Sequence, residues 1–343
     1  MNILVTGGLG YIGSHTCVEL LNSNYNVVVI DNLYNSNTKT IENIKKITKK
    51  DLKFYLGDVK DKLLLQQIFN ENKIDAVIHF AAYKAVGESV AKPLMYYDNN
   101  ISSLITLLTV MDEYNCKKIV FSSSATVYKE TKKLPLKENS DKFAYNPYGN
   151  TKLFGEKILE DLYNSDNNYS IAILRYFNPI GSHESGLIGE NIFDIPNNLM
   201  PYILKVANKE LDYLTIYGDN YETHDGTGIR DYIHVVDLAK GHINALEYIK
   251  DNTVIDYFNL GTGIGYSVLD VVKTFIKVNN IDIPYKIGKR RDGDIAVNYS
   301  DPSYAREKIG FYTTKNLEDM CKDSYKYVLV NKINNWHYRI NSI

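Results

Sequence analysis

The sequence lacks the features that mark several classes of protein. It has only three cysteines, Cys17, Cys116 and Cys321, and no CxxC pair. An odd number of cysteines without paired spacing is typical of reduced thiols in an intracellular protein. No apolar run approaches the length of a membrane span, and a predicted strand beginning at Asn2 leaves no room for a signal peptide. We therefore expect a cytoplasmic protein without a membrane partner.

An excess of charge is missing as well. The 343 residues carry 39 basic and 41 acidic side chains, a net charge of −2, which gives no sign of a surface for nucleic acid. The seven histidines form no HExxH motif and no cluster with carboxylates, so no metal site is expected. A small-molecule partner is the remaining expectation.

The most informative stretch that is present is the glycine-rich turn GGLGYIG, residues 7–13. It follows the apolar run 3–5 and precedes apolar positions at helical spacing. Gly7, Gly10 and Gly13 suit a sharp turn, close approach of a pyrophosphate, and tight packing of helix on strand. Free N–H groups and the helix dipole would favour a bound anion. The turn is predicted to bind the phosphates of a nucleotide.

Asp31 narrows the choice of nucleotide. It ends the next apolar run, residues 27–30, where a carboxylate is expected to bind the 2′-hydroxyl of an adenosine ribose. Its charge would repel a 2′-phosphate, and no arginine lies within residues 32–38 to bind one. The sequence therefore predicts NAD rather than NADP.

Strand-like runs alternate with helix-like stretches through the first half of the chain. The pairs are 53–56 with 61–70, 76–80 with 94–111, and 119–122 with 148–162, followed by the run 171–174. This alternation predicts an α/β fold with a doubly wound parallel Rossmann sheet, whose ligands bind at the carboxyl ends of the strands.

The pattern changes after residue 176 to irregular segments rich in Gly, Asn, Pro and His. We predict a Rossmann domain at residues 1–177 and a second, smaller α+β substrate domain at 178–343. A predicted strand and helix within 231–250 could return to either domain.

A second glycine-rich turn, residues 259–265, imitates the first. It follows an apolar run and precedes a helix predicted from Val268. Its third glycine is too close to the others, and no acidic residue ends a following strand at the right distance. We interpret it as a structural turn.

Tyr148 and Lys152, in the segment YGNTK, are the main candidates for catalytic residues. On a helix beginning near Pro147 the two side chains lie one turn apart on the same face. A tyrosine, with a pKa near ~10, is a poor base at neutral pH. The ammonium, together with the charge of an oxidised nicotinamide, would favour the phenolate. Alone, YxxxK in a tyrosine-rich chain would more often be a solvated helix face than a catalytic pair.

The position of this helix favours the catalytic interpretation. It follows a strand that ends in three serines, residues 122–124, at the edge where cofactor and substrate should meet. Ser124 could donate a hydrogen bond to a substrate hydroxyl or to a developing carbonyl oxygen. Ser124, Tyr148 and Lys152 beside an NAD fingerprint predict hydride transfer.

Other polar residues give weaker signals. His79 follows an apolar pair and is interpreted as a buried, hydrogen-bonded histidine. Lys84 is either a pyrophosphate contact or a surface lysine. Arg230, Arg291 and Asp294 lie in the second half, where arginines could clamp a diphosphate or form surface ion pairs. The residues alone leave these alternatives open.

Longer segments resemble a known family over essentially the whole chain. They are LVTGGLGYIGSHT, VVVIDNLYNS, AVIHFAAYKAVGESV, YYDNN, FSSSATVY, NPYGNTK, LRYFNPIGSH, IPNNLMPYI, DGTGIRDYIHVVDLA, YFNLGTG and RRDGD. The first segment and YxxxK are common to the extended short-chain dehydrogenase/reductase superfamily. The segments KAVGESV, SSSATVY, RYFNPIG and IPNNLMPYI are specific to the UDP-glucose 4-epimerases, which the chain therefore resembles.

The resemblance implies a role for each matching residue. Tightly bound NAD, regenerated in each cycle, would be held by Gly7, Gly10, Tyr11, Ile12, Gly13, Asp31, Asn32, Asn35, Ser36, Asp58, Val59, Phe80, Ala81, Lys84, Asn99, Tyr148, Lys152 and Tyr176. The UDP-sugar would be held by Ser124, Tyr148, Asn178, Asn198, Leu199, Tyr217, Arg230, Arg291, Asp294 and Asn298. The resemblance also implies a homodimer formed through the helices predicted at 94–111 and 148–162.

Two positions depart from the better-known bacterial members. Tyr217 stands where those members carry phenylalanine, so only an aromatic contact to uracil carries over. Asn298 stands where many have a tyrosine facing the sugar. A smaller residue there is associated in the family with room for N-acetylated sugars, which extends the expected substrates to UDP-N-acetylglucosamine and UDP-N-acetylgalactosamine.

The implied reaction is the C4 epimerisation of UDP-glucose and UDP-galactose in galactose metabolism. Tyr148 would take the proton of the 4-hydroxyl through Ser124 while the C4 hydride passes to NAD, and the 4-keto sugar would turn over before the hydride returns. Nucleotide-sugar 4,6-dehydratases share the fold but carry acidic residues where this chain has Ala125 and Thr126. A dinucleotide-sensing protein without catalysis is the other alternative, against which the intact Ser124, Tyr148 and Lys152 argue.

Overall fold

A seven-stranded parallel sheet forms the centre of the protein. The computed structural model describes residues 1–191, 198–291 and 294–340, with side chains to residue 332. The strands are β1 (Asn2–Thr6), β2 (Asn26–Asp31), β3 (Lys53–Leu56), β4 (Ala76–His79), β5 (Lys118–Ser124), β6 (Ser170–Tyr176) and β10 (Ile255–Leu260). Their order across the sheet is β10-β6-β5-β4-β1-β2-β3. The predicted doubly wound parallel sheet is confirmed.

Helices cover both faces of this sheet because its strands are apolar on both sides. Val28 and Val29 point to opposite faces, and both are buried. One face packs against α1 (Tyr11–Asn22), α2 (Lys39–Thr48), α9 (Val235–Asp251) and α11 (Ser303–Ile309). The other face packs against α3 (Lys62–Asn72), α6 (Ser103–Glu113) and α7 (Pro147–Ser165).

The helix predicted at residues 94–111 is confirmed, but a π-helical segment interrupts its α-helical hydrogen-bond pattern. The chain forms α4 (Val86–Ala91) and α5 (Pro93–Tyr97), then a π-helical segment, Asp98–Ser102, and then α6. The wider π turn shifts the faces of the helix, and such turns are frequent at functional sites. Apolar spacing cannot reveal this change of hydrogen-bond pattern.

The rest of the chain forms smaller sheets beside the large one. Strand β9 (Ile229–His234) pairs with β7 (Asn178–Ile180), β11 (Gly265–Ser267) and β13 (Val297–Asn298), while β8 (Leu214–Tyr217) pairs with β12 (Tyr285–Gly288). Their core includes Ile203 of α8 (Leu199–Ala207), Phe275 of α10 (Val268–Asn279) and Met320 of α12 (Leu317–Ile340). Within the described ranges, no helix combines the length and the apolar character needed to cross a membrane.

Two elements late in the chain belong to the large sheet. Helix α9 packs on α1, and β10 pairs with β6 as an edge strand of the seven-stranded sheet. By sequence, residues 231–250 could return to either domain, and no strand of the large sheet is predicted at 255–260. A short buried strand is compatible with either sheet by its own sequence, so only the assembled fold decides its neighbour.

Candidate active site

A groove of about 1250 Å³, including its open mouth, runs along the carboxyl edge of the large sheet. Nearly all the residues predicted to bind the cofactor line it. They are Gly7, Gly10, Tyr11, Ile12, Gly13, Asp31, Asn32, Asn35, Asp58, Val59, Phe80, Ala81, Lys84, Asn99, Tyr148, Lys152 and Tyr176. The remaining one, Ser36, is buried behind Asp31.

The glycine turn has the shape that an anion needs. Gly7 has a φ of +68°, and a Cβ there would lie 2.9 Å from the backbone nitrogen of Ala81. A Cβ on Gly13 would lie 2.3 Å from the carbonyl oxygen of Gly7. Helix α1 then begins after Gly10, with no cap from any described side chain and no acidic residue in its first turn. Its first N–H groups and its dipole are therefore available to a pyrophosphate.

Asp31 stands at one side of the turn with most of its acceptor capacity used. Its carboxylate accepts hydrogen bonds from the backbone N–H of Leu9 (3.0 Å), the N–H of Leu33 (2.9 Å) and the hydroxyl of Ser36 (2.8 Å). A carboxylate has about four acceptor positions. One is left for a ribose hydroxyl, and the internal bonds hold Asp31 in place to accept it.

Two of the three predicted catalytic residues, Tyr148 and Lys152, line the other part of the groove. Ser124 ends β5 beside them, and its hydroxyl lowers the pKa of the Tyr148 side chain. Lys152, on the same helix as Tyr148, is buried and donates to the carbonyl oxygen of Ser122 at 2.6 Å. Asn146 caps this helix by accepting from the N–H of Gly149 at 2.9 Å. The cap fixes where α7 begins and hence which face carries Tyr148.

The electrostatics of this pair differ from the expectation. Burial raises the pKa of Tyr148 above its ordinary value, and the Ser124 hydroxyl only partly opposes this. Burial also lowers the pKa of Lys152 to about 7. Within the chain, burial of Tyr148 and Lys152 therefore opposes the phenolate form of Tyr148. A positively charged ligand in the groove would favour that form.

A histidine that the sequence analysis did not single out lies behind Tyr176. The hydroxyl of Tyr176 is hydrogen-bonded to Nε2 of His242, whose Nδ1 lies 2.8 Å from the carbonyl oxygen of Leu238. A carbonyl only accepts, so Nδ1 carries the proton and Nε2 accepts from Tyr176. Burial lowers the pKa of His242 to about 4, which keeps it neutral. The ring centroids of His242 and Phe80 are also 4.8 Å apart. His242 therefore holds two residues of the groove, Tyr176 and Phe80.

Several other lining residues are not among the predicted cofactor contacts. They are Ile30, Tyr34, Gly57, Ala82, Tyr83, Ser103, Ser122, Glu190 and Asn191. Lys84 lies at the groove, where Nζ forms a 2.7 Å ion pair with Glu190. Since Glu190 comes from a segment more than a hundred residues later in the chain, no local pattern could have revealed the pair.

The residues predicted to bind the UDP half of the substrate form two groups outside this groove. Arg230 donates to Asp294 at 2.5 Å and is aligned with Asn298 in the pairing of β9 with β13. The guanidinium of Arg291 lies 4.1 Å from the ring centroid of Tyr217.

The remaining predicted residues lie at the starts of elements. Asn178 begins β7, while Asn198 precedes α8 and Leu199 begins it. Residues 195–197 of the IPNNLMPYI segment and 292–293 of the RRDGD segment lie outside the described residues.

Two further interpretations from the sequence are confirmed. His79 is buried, with Nδ1 2.8 Å from the hydroxyl of Thr6. The second glycine-rich turn is structural, because the buried carboxylate of Asp231 accepts hydrogen bonds from the backbone N–H groups of Thr262 (2.8 Å) and Gly263 (3.1 Å). An internal anion thus occupies the position that a phosphate would need.

One group of residues in the described ranges has the spacing of metal ligands. It consists of His224, Asp225 and Asp270. Both carboxylates already accept hydrogen bonds around the start of α10, from the hydroxyl and the N–H of Ser267. The group is therefore explained by the capping of that helix.

Comparison with known proteins agrees with this geometry. The sequence profile of the GDP-mannose 4,6 dehydratase family matches residues 4–324. The UDP-glucose 4-epimerase of Bacillus subtilis is 55% identical over 327 residues, which cover 95% of this chain and 96% of that protein.

Two solved structures are similar over nearly their whole length. The UDP-glucose 4-epimerase of Stenotrophomonas maltophila, with bound NAD and formylated UDP-arabinopyranose, has a TM-score of 0.96 and 46% identity over 97% of this chain and 99% of that one. The Bifidobacterium longum enzyme, in complex with NAD+ and UDP, has a TM-score of 0.93 and 51% identity with the same coverage. The chain belongs to the UDP-glucose 4-epimerase family of the extended short-chain dehydrogenase/reductase superfamily.

Proposed function

We propose that this protein interconverts UDP-glucose and UDP-galactose by NAD-dependent epimerisation at C4 of the sugar. The observation that supports this most strongly is the single groove that joins the glycine turn and Asp31 to Tyr148 and Lys152. Relatives at about half sequence identity over 95% of the chain are epimerases of this kind.

The groove suits NAD in particular. The uncapped start of α1 would bind the pyrophosphate, and the remaining acceptor position of Asp31 would bind the adenosine ribose. The chemistry that bound NAD supplies is acceptance and return of the C4 hydride, so the cofactor is regenerated and need not leave. The positive charge of oxidised NAD would also favour the phenolate of Tyr148, which burial disfavours in the chain alone.

Tyr148 is proposed to take the proton from the 4-hydroxyl of the sugar, with Ser124 as the bridge. The effect of the Ser124 hydroxyl on the pKa of Tyr148 supports a short path for the proton between these two side chains. Lys152 donates to the carbonyl oxygen of Ser122, which holds its side chain in the groove with Tyr148. General-base catalysis of this kind contributes about 10² to 10⁴ in rate.

Inversion at C4 requires a firm hold on UDP and a loose hold on the sugar. We propose that Arg230, Arg291 and Tyr217 bind the UDP half, together with Asn178, Asn198, Leu199 and Asp294. Residues 1–177 with α9, β10 and α11 would then act as the NAD domain, and the rest of residues 178–343 as the UDP-sugar domain. The stacking of Arg291 on Tyr217 supports a flat site for uracil.

The matched profile is named after a 4,6-dehydratase, but this chain lacks the acidic residue of those enzymes. Ala125 and Thr126 follow Ser124, and Thr126 donates to the hydroxyl of Ser124 through its N–H (3.2 Å) and its hydroxyl (3.0 Å). Neither residue could act as the acid that eliminates water. The intact Ser124, Tyr148 and Lys152 also argue against a purely sensing protein.

Asn298 supports a wider substrate range. It lies beside Arg230 in the pairing of β13 with β9, and its side chain is shorter than that of tyrosine. We propose that N-acetylated UDP-hexoses are substrates too.

An apolar surface supports a homodimer. Leu94 of α5, Ile105 of α6 and Phe154 of α7 are 81%, 49% and 48% exposed, and these helices lie together. Large apolar side chains clustered on a surface favour association. A cytoplasmic location is supported by the three cysteines, which are all buried and unpaired.

The test is incubation of the purified protein with UDP-galactose or UDP-N-acetylgalactosamine, without added NAD. We expect UDP-glucose and UDP-N-acetylglucosamine, identified by sugar analysis. Formation of the first product alone would remove the proposal about Asn298. A 4-keto-6-deoxy product would indicate a dehydratase, and recovery of both unchanged substrates would refute epimerisation.

A further inference from the structure

Two tyrosines face each other across the groove at its adenosine end. Tyr34 follows β2 and Tyr83 follows β4, the two strands that flank β1 and its glycine turn. Their ring centroids are 4.7 Å apart at an interplanar angle of 50°, and both residues line the groove. The contact therefore joins the two sides of the groove over the residues predicted to bind adenosine.

The backbone before Tyr34 is held in an unusual conformation. Leu33 has a φ of +59°, a left-handed conformation that leucine rarely adopts. Side chains enforce it, since Asp31 accepts from the N–H of Leu33 at 2.9 Å and Asn32 accepts from the N–H of Tyr34 at 3.1 Å. The Tyr34 side chain is 58% exposed, so burial in a core does not account for its position.

Tyr83 is held from behind. Its N–H donates to the side-chain oxygen of Asn100 at 2.8 Å, and its carbonyl accepts from the amide of Asn100 at 3.0 Å. The ring of Tyr96 lies 5.6 Å behind the ring of Tyr83. One side of the contact is thus firmly anchored, and the other is an exposed ring that meets it.

We propose that Tyr34 and Tyr83 form an aromatic clasp that retains NAD in the groove. The inference rests on the proposed function, because an epimerase regenerates its cofactor in every cycle and loses nothing by slow release. Aromatic rings close over a flat base well, and their mutual contact has to break before the adenosine end can leave. Asp31 and Asn32 therefore serve twice, since they line the cofactor groove and hold the turn that carries Tyr34.

The test measures NAD release rather than turnover. Each purified protein is loaded with radiolabelled NAD, an excess of unlabelled NAD is added, and retained label is followed by filtration. Tyr34→Ala and Tyr83→Ala should each speed loss of the label by about 2- to 12-fold, the range for one aromatic pair. The double variant should fall well short of the product of the two effects, because both remove the same contact.

Matched variants identify the cause. Tyr34→Phe keeps the ring and should release NAD at the parent rate, and so should Tyr312→Ala, which removes an equally exposed tyrosine that does not line the groove. The clasp is refuted if Tyr34→Ala releases NAD no faster than Tyr312→Ala, if Tyr34→Phe is as fast as Tyr34→Ala, or if the two alanine effects multiply. A protein that binds no NAD would instead contradict the proposed function.

Discussion

The two glycine-rich turns look alike in sequence and differ in what fills them. Residues 7–13 follow β1, and the second turn, residues 259–265, begins at the end of β10; both are strands of the large sheet. In the first turn, the N–H groups at the start of α1 face the groove without a described side-chain cap. In the second, Asp231 accepts five hydrogen bonds, from Thr262, Gly263 and Ser300. The first turn is left open to a ligand, and the second is satisfied by the chain itself.

This difference teaches that glycine spacing shows where backbone N–H groups converge but not which anion meets them. Each turn has an aspartate beside it. Asp31 accepts one N–H of its turn, that of Leu9, and leaves the helix start free, whereas the buried Asp231 bonds directly to two N–H groups of its turn. The first region can therefore bind a ligand at the helix start, and the second contributes to the stability of the fold.

The largest effect expected is a loss of turnover in a variant that leaves the first turn unchanged. Tyr148→Phe should lower kcat by about 10² to 10⁴ because it removes the proton acceptor. The cofactor should stay bound, since the turn and Asp31 are untouched. Turnover of UDP-galactose and the NAD content of the purified variant measure the two properties. A near-normal rate would remove Tyr148 from the role of base.

The second turn should respond in stability. Asp231→Asn keeps the size of the side chain but presents an amide to N–H and O–H donors, and the free energy of unfolding should fall by about 3 kcal/mol. NAD content per folded molecule should not change. Urea denaturation and nucleotide analysis of the folded fraction test this contrast. A selective loss of NAD would mean that the second turn also serves the cofactor.

The matching change in the first region is Asp31→Asn. It should weaken NAD binding by about 10- to 100-fold, since a hydrogen bond to a charged group contributes roughly 1.5–3 kcal/mol. The loss of stability in the absence of NAD should be smaller than for Asp231→Asn, which makes each variant the control for the other. Equal effects of the two variants on both properties would erase the distinction between the turns.

The smallest effect expected concerns pH. The pKa of Lys152 is lowered from 10.5 to about 7 in the folded chain, so the unfolded chain binds more protons between these values and stability rises with pH across that window. Lys152→Met should remove this rise. In NAD-free protein it should stabilise the fold by about 1 kcal/mol below pH 7, where the buried charge is fully present, while abolishing turnover.

Denaturation at about pH 6 and about pH 9 measures the effect of Lys152. The stabilisation by Lys152→Met should shrink as the pH rises towards 10.5. If Lys152→Met is less stable than the parent at the lower pH, the buried charge of Lys152 is well compensated in NAD-free protein. Its burial would then not reduce the stability of the fold.

Much of the groove could be predicted because its residues sit at the ends of strands, where local patterns are informative. Gly7 to Gly13, Asp31 and Ser124 all follow apolar runs, and the carboxyl ends of parallel strands meet at one edge. The YxxxK spacing places Tyr148 and Lys152 on one helix face without knowledge of the fold. These local patterns are therefore enough to predict that the catalytic and the phosphate-binding residues lie at the same edge of the sheet.

The rest depends on contacts between distant parts of the chain. The pair Lys84 and Glu190 and the pair Tyr176 and His242 come from separate elements, and neither partner belongs to a motif for the contact. The same holds for β10, because its own residues do not indicate which strand it pairs with. The raised pKa of Tyr148 was missed because spacing gives the distance to Lys152 but not the burial of both groups.

The most direct test of the central claim follows the hydrogen at C4. Purified protein, without added NAD, is incubated with UDP-galactose deuterated at C4, and the product is analysed by mass spectrometry. If the first turn holds a cofactor that takes the hydride and returns it within one cycle, UDP-glucose should form with the deuterium retained at C4. Loss of the deuterium to solvent, or no UDP-glucose, would contradict that account.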